Sequence, residues 1–242
     1  MFFSSLFKKS SATTINPFKV DIHSHLLPGI DDGAQTLKES IALIKQFHLL
    51  GYSKLITTPH IISDYYPNTR EIITEKLDIV KKALEEEEIN ISIEAGAEYY
   101  VDMSFFNLIE DRNLLTFMKH YVLFETNYTS KPIILEEIIR NLLQKGYIPV
   151  LAHPERYSYL HYDIRAYKHL KAQGVLFQIN ARSLYNNSKP TSNMALQLIK
   201  HGLVDFIGSD AHRMRDIRRL ESFLKSRTCQ KMIKLNNIKN NF

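Results

Sequence analysis

Short apolar runs alternate with longer amphipathic blocks along most of the chain. Helical spacing is clearest over residues 37–50, where Leu37, Ile41, Ile44 and Leu49 recur on one face before Gly51, the place a helix-terminating glycine takes. Similar blocks cover 68–87, 133–145 (before Gly146), 163–173 (before Gly174), 190–201 (before Gly202) and 215–227. Strand-like runs fill 18–22, 55–58, 91–98, 121–125, 149–153 and 204–212. This rhythm predicts an α/β fold with a parallel sheet, its strand count nearer seven than eight. The acidic run Glu85 to Glu88 closes its helix with the wrong sign for the dipole and reads as a solvated end. Neither repeats nor low-complexity linkers interrupt 18–242, which read as one domain behind a flexible leader at 1–17.

Polar residues recur where the strand-like runs stop. The first run leads into Asp21-Ile22-His23-Ser24-His25, with Asp32 seven residues on. Residues two apart in an extended strand share a face, so both imidazoles can aim at one point. His60, Glu98, Glu125, His153, Asp210 and His212 close the later runs. A (β/α) barrel builds its active site from the C-terminal ends of successive strands. Taken singly, each residue also fits a bland role, such as a barrel-mouth ion pair for Glu98 or Glu125 or a capping histidine for His60. Together they suit divalent cations, because so many polar groups at one mouth are costly to assemble without them. Mixed imidazole and carboxylate favours manganese, iron or zinc over magnesium or calcium.

The ordered series D-I-H-S-H…D-D-G, T-T-P-H, G-A-E-Y-Y, F-E, A-H-P-E-R-Y and S-D-A-H resembles the polymerase-and-histidinol-phosphatase (PHP) metal-dependent phosphoesterases. It most resembles their manganese-dependent tyrosine-protein phosphatase branch, found in bacterial capsule and exopolysaccharide operons. The likeness spans roughly residues 19–225. It implies a distorted (β/α)7 barrel of the PHP type and three divalent metal ions, manganese first with iron or zinc as alternatives. The ligands it implies are His23, His25, Asp32, His60, Glu98, Glu125, His153, Asp210 and His212. It further implies that Arg156 grips the phosphoryl oxygens, a task suited to a planar guanidinium fork, with Asp210 and His212 also catalytic; an ion pair with Glu155 or a nearby acid is the structural alternative for Arg156. The resembling enzymes often carry another arginine shortly after the D-x-H motif. Here the basic group is offset, leaving Arg215 or Arg218 to bind substrate. Tyr99, Tyr100, Tyr128 and Tyr157 are candidates for an aromatic slot or for packing.

The implied reaction is hydrolysis of phosphotyrosine in a protein, the substrate being the tyrosine-rich tail of a polysaccharide-export kinase. A small-molecule phosphoesterase, such as a histidinol-phosphate phosphatase, is the second reading, and a non-catalytic metal-binding regulator of the kinase the third.

Composition narrows these readings. At 242 residues with 44% hydrophobic content, the chain can bury a full core without staples. The single cysteine, Cys229, rules out a disulfide framework and suits a reducing, cytoplasmic setting. A cysteine-based phosphatase needs an arginine six residues on, where this chain has Leu235. Net charge is +5, from 31 basic against 26 acidic residues. The excess is local: residues 213–242 hold nine Lys/Arg (213, 215, 218, 219, 225, 227, 231, 234, 239) against Asp216 and Glu221. That face suits an anionic partner or plain solvation, and its lack of interleaved aromatics argues against nucleic acid. Phe2, Phe3, Leu6, Phe7, Lys8 and Lys9 give the leader a means of peripheral membrane contact.

Overall fold

The computed structural model describes residues 16–161, 163–185 and 189–242, so the leader expected at 1–17 lies almost wholly outside the described residues. Asn16, at its end, is buried, and its side-chain oxygen accepts from Phe18 N at 2.9 Å.

Strands and helices alternate as the periodicity predicts. The strands are β1 (Val20–Asp21), β2 (Lys54–Thr57), β3 (His60–Ile61), β4 (Ser92–Ala95), β5 (Glu98–Tyr100), β6 (Tyr121–Glu125), β7 (Ile148–Ala152), β8 (Leu176–Asn180) and β9 (Phe206–Gly208). The helices are α1 (Leu37–Leu49), α2 (Arg70–Glu86), α3 (Met103–Glu110), α4 (Leu135–Gln144), α5 (Ile164–Ala172), α6 (Lys189–Lys200), α7 (Met214–Leu224) and α8 (Arg227–Leu235). Every strand pairing is parallel, in two sheets ordered β1-β2-β4 and β3-β5-β6-β7-β8-β9. Short breaks at 58–59 and 96–97 separate β2 from β3 and β4 from β5, so each sheet takes one half of the same two runs.

Alternation along the strands divides two apolar layers. Val20, Ile22, Ile56, Leu123, Val150, Ala152 and Phe206 form a small inner cluster. Their neighbours Leu55, Val122, Phe124, Leu151, Phe177 and Ile207 belong to the larger layer shared with the helices. Strands buried on both faces read as continuous apolar runs, which made them legible.

β8 and α3 have no counterpart among the expected runs and blocks, and two further differences have local causes. The block 215–227 predicts a helix running to residue 227, but α7 ends at Leu224 and α8 begins at Arg227. Ser226 adopts an extended conformation and its hydroxyl accepts from Cys229 N at 3.1 Å, starting α8 afresh. Cys229 lies buried in α8, and burial pushes its thiol up to about 11. The second difference concerns the C-terminal tail, which is anchored rather than solvated. Asn240 is buried; its side chain accepts from Ile207 N (2.9 Å) and donates to Val20 O (2.9 Å) and Ile207 O (2.8 Å). It thus joins β1 to β9, which share no strand ladder, while a parallel bridge between Ser24 and Ala211 links their far ends. Asn240→Ala would leave those backbone groups buried without partners, and should cost roughly 2–4 kcal/mol of unfolding free energy in a denaturant titration.

Candidate active site

All nine residues expected at the strand ends meet in one place. His23 and His25 follow β1 and bring their Nε2 atoms to 3.3 Å. Glu98 opens β5, and its carboxylate lies at the centre: Oε1 is 2.9 Å from His153 Nε2, and Oε2 is 3.2 Å from His23 Nε2, 3.4 Å from His25 Nε2 and 3.2 Å from His60 Nδ1. Glu125, ending β6, reaches His60 Nδ1 at 3.2 Å. Asp210, after β9, turns Oδ1 to His212 (3.4 Å), His25 (3.6 Å) and His23 (3.7 Å). Asp32 stands half-exposed at the rim, 3.2 Å from His212 Nε2 and 3.6 Å from His60 Nε2. Four groups have ligand atoms mutually within 4.8 Å: His25–Asp32–His60–His212, His23–Glu98–His153, His23–His25–Asp210 and His60–Glu98–Glu125.

Acceptors behind the rings fix their tautomers. His23 Nδ1 donates to Gln178 Oε1 (2.7 Å), His25 Nδ1 to Asp31 Oδ2 (2.8 Å) and His212 Nδ1 to the Asp210 carbonyl (3.0 Å). Each Nε2 then carries its lone pair toward the cluster, the usual arrangement of a metal-binding imidazole. Were both rings neutral, these lone pairs would face each other at 3.3 Å, an arrangement that a bound cation or a proton relieves. Glu98 Oε2, His60 Nδ1 and His153 Nδ1 are buried without a hydrogen-bond partner. This donor set fits divalent cations.

Electrostatics point the same way. Burial resists charge on His23, but Glu98 and Asp210 outweigh it and push the ring up to about 10. Burial likewise opposes charge on Glu98 and Asp210, yet neighbouring imidazoles and, for Asp210, Arg182 hold both carboxyls far below their usual range. The cluster attracts positive charge at its centre. His153 and Asp210 also sit at positive φ (34° and 49°), a conformation that costs non-glycine residues about 1–3 kcal/mol and gathers at functional sites.

The cluster opens into a cavity of about 150 Å³ lined by, among others, His60, Glu98, His153, Asp210 and His212. Arg156 also lines it, its guanidinium 4.4 Å from the Tyr128 ring centre and 3.6 Å from Asp210 Oδ2. Of the two structural pairings expected for Arg156, the one with Glu155 does not form, while the nearby acid is Asp210, met at 3.6 Å. Glu155 is buried and accepts from Asn180 N at 2.9 Å, and burial raises its carboxyl to about 6. Arg215 reaches the cavity rim largely exposed, while Arg218 is exposed away from it. Of the four tyrosines, Tyr99 and Tyr157 are core residues with bonded hydroxyls. Tyr128 lines the cavity, and Tyr100 lines an adjoining groove.

Three contributors carry no histidine or acid at an expected run's end. Asp31, the first acid of D-D-G, is buried; it holds His25 and accepts from Gly33 N (2.9 Å) and His60 N (3.2 Å). A Cβ on Gly33 would lie 2.2 Å from His25 O, so only glycine fits that turn. Gln178 on β8 orients His23. Arg182, two residues beyond β8, places Nη2 2.7 Å from Asp210 Oδ2.

Relatives with this architecture are known. Tyrosine-protein phosphatase YwqE of Bacillus subtilis is 32% identical over 198 residues, 81% of this chain and 78% of YwqE. A solved structure from a study of YwqE and of CpsB from Streptococcus pneumoniae, described as unique metal-dependent tyrosine phosphatases, superposes with a TM-score of 0.78. It is 29% identical and covers 89% of this chain and 90% of its own. Histidinol phosphate phosphatase from Lactococcus lactis shares the fold alone, at 16% identity and TM-score 0.51 over 87% of this chain and 93% of that one. The family described as capsular polysaccharide synthesis, CpsB/CapC, matches residues 19–237, and the chain belongs to that family.

Proposed function

We propose that this protein is a metal-dependent protein-tyrosine phosphatase serving capsule or exopolysaccharide synthesis. The observation that carries the reading is the gathering of five imidazoles and four carboxylates around one cavity with a guanidinium on its wall. His23, His25, Asp32, His60, Glu98, Glu125, His153, Asp210 and His212 would hold three divalent ions of the PHP type, manganese first, with iron or zinc as alternatives. Those ions would offset the charge of the phosphomonoester dianion and lower the pKa of water toward ~7.

The protein's own groups supply the rest. Arg156, its guanidinium over the Tyr128 ring, would present a fork to two phosphoryl oxygens. His212, at the rim with its Nδ1 bonded to the Asp210 carbonyl, would turn its Nε2 toward an ion held beside the leaving oxygen. A phenolate leaves readily, since tyrosine's pKa of ~10 lies well below that of an aliphatic alcohol. Tyr128 at the cavity wall gives the substrate ring an aromatic neighbour.

We read the two sheets as one interrupted ring of seven strands, with β2 and β3 sharing one strand, β4 and β5 another, and the β1–β9 seam closed through Asn240 and the Ser24–Ala211 bridge. The substrate we propose is the tyrosine-rich tail of a cytoplasmic polysaccharide-export kinase. No helix among the described residues is long and apolar enough to cross a membrane. Peripheral contact through Phe2, Phe3, Leu6, Phe7, Lys8 and Lys9 concerns residues outside those described.

The test compares kcat/KM for a phosphotyrosine peptide and for histidinol phosphate with manganese-loaded protein. The peptide is expected to win by at least about tenfold, with chelation abolishing turnover and manganese restoring it. Preference for the small phosphate would shift the assignment to the second reading. Silence on both substrates with metal bound would leave the kinase-regulator reading.

A further inference from the structure

We infer that Arg182, which follows β8, is a second phosphate-binding guanidinium and works as a pair with Arg156. The inference rests on the phosphatase reading of the site and adds a residue to it.

The argument begins with Asp210. Its two oxygens face different surroundings: Oδ1 turns to His23, His25 and His212, while Oδ2 accepts from Asn180 Nδ2 at 2.5 Å and lies 2.7 Å from Arg182 and 3.6 Å from Arg156. An arginine carries five N–H donors in a fixed fork. A single carboxylate oxygen, already bonded to Asn180, can satisfy a small fraction of the ten that two guanidiniums bring. Among the described residues, Asp210 is the acid that either arginine meets. Both side chains are about three-quarters buried, at 28% and 24% exposure, so bulk water compensates them poorly. Both line the cavity beside the cluster. Ligand oxygens are the missing acceptors, and a phosphoryl group supplies them in a geometry that matches arginine forks.

Position supports the pairing. Arg156 enters on the short helix after β7 (Pro154–Arg156) and Arg182 on the one after β8 (Ala181–Leu184), so adjacent strands deliver them to one side of the cavity. Asn180 fixes the base of the second turn, its backbone N–H bonded to buried Glu155 and its side chain to Asp210. Arg215, by contrast, is 67% exposed and lies 3.9 Å from Asp216. A largely solvated arginine is a weaker grip than one mostly buried beside the cavity.

The competing role for Arg182 is purely structural, holding Asp210 in its strained conformation. Calorimetric titration of inorganic phosphate into the manganese-loaded full chain separates the two. Arg182→Ala is expected to weaken phosphate binding about 10- to 100-fold at unchanged metal content. Arg182→Lys should recover part of the affinity, and it decides the matter alone if the alanine variant does not fold. Unchanged phosphate affinity, or loss of metal in either variant, overturns the inference. Phosphate binding is read whether or not any peptide is turned over. An Arg182-dependent site in a protein that releases no phosphate from phosphotyrosine would sink the phosphatase reading and leave this one standing. Normal peptide turnover with phosphate affinity indifferent to Arg182 would do the reverse.

Discussion

Glu98→Gln is expected to lower kcat/KM on a phosphotyrosine peptide by on the order of 10³-fold and to reduce bound metal measured by elemental analysis. No other carboxylate in the cluster meets as many imidazoles: His153 through Oε1, and His23, His25 and His60 through Oε2. An amide of the same shape keeps one acceptor oxygen and turns the other position into a donor. That NH2 would offer no lone pair to the cations the cluster is built to hold, and would repel them. The negative charge that draws cations to the centre also disappears. The fold should survive, since Glu98 is held by the cluster, and its strand pairs through backbone groups. A Glu98→Gln protein with full metal content and near-normal turnover would remove Glu98 from the machinery.

The architecture and the cluster were legible for different reasons. Strands buried on both faces announce themselves as apolar runs, and glycines at 51, 146, 174 and 202 mark helix ends where φ is positive. The candidate ligands were legible because histidines and acids at strand ends are chemically conspicuous. Arg182, Gln178 and Asn180 were not, since β8 ends in amides that resemble ordinary polar residues. Their role arises only when β8 is laid beside β7 and β9. Asp31 was hidden by its neighbour. In D-D-G either acid could turn inward, and the choice is made by the tight approach of Gly33 to His25, which buries Asp31 and leaves Asp32 at the rim.

Arg156→Ala should cost about 10²–10³-fold in kcat/KM, the scale of losing one charged oxygen clamp on a transferring phosphoryl group. Metal content should stay intact, because Arg156 touches Asp210 only distantly, at 3.6 Å on the oxygen turned away from the imidazoles. Arg156→Lys should rescue little. An ammonium reaches with a point charge where two parallel N–H bonds are wanted, and it lacks the planar surface that lies over Tyr128. The split between parameters is informative. A rise in KM alone would mean that Arg156 holds substrate and transition state equally, whereas a fall in kcat would place its grip on the charge that develops during transfer. Combining Arg156→Ala with Arg182→Ala sharpens this further. Two forks sharing one phosphoryl group should give a double variant less impaired than the product of the single losses, because removing either already loosens the hold of the other. Independent, multiplicative losses would place the two arginines on different parts of the substrate.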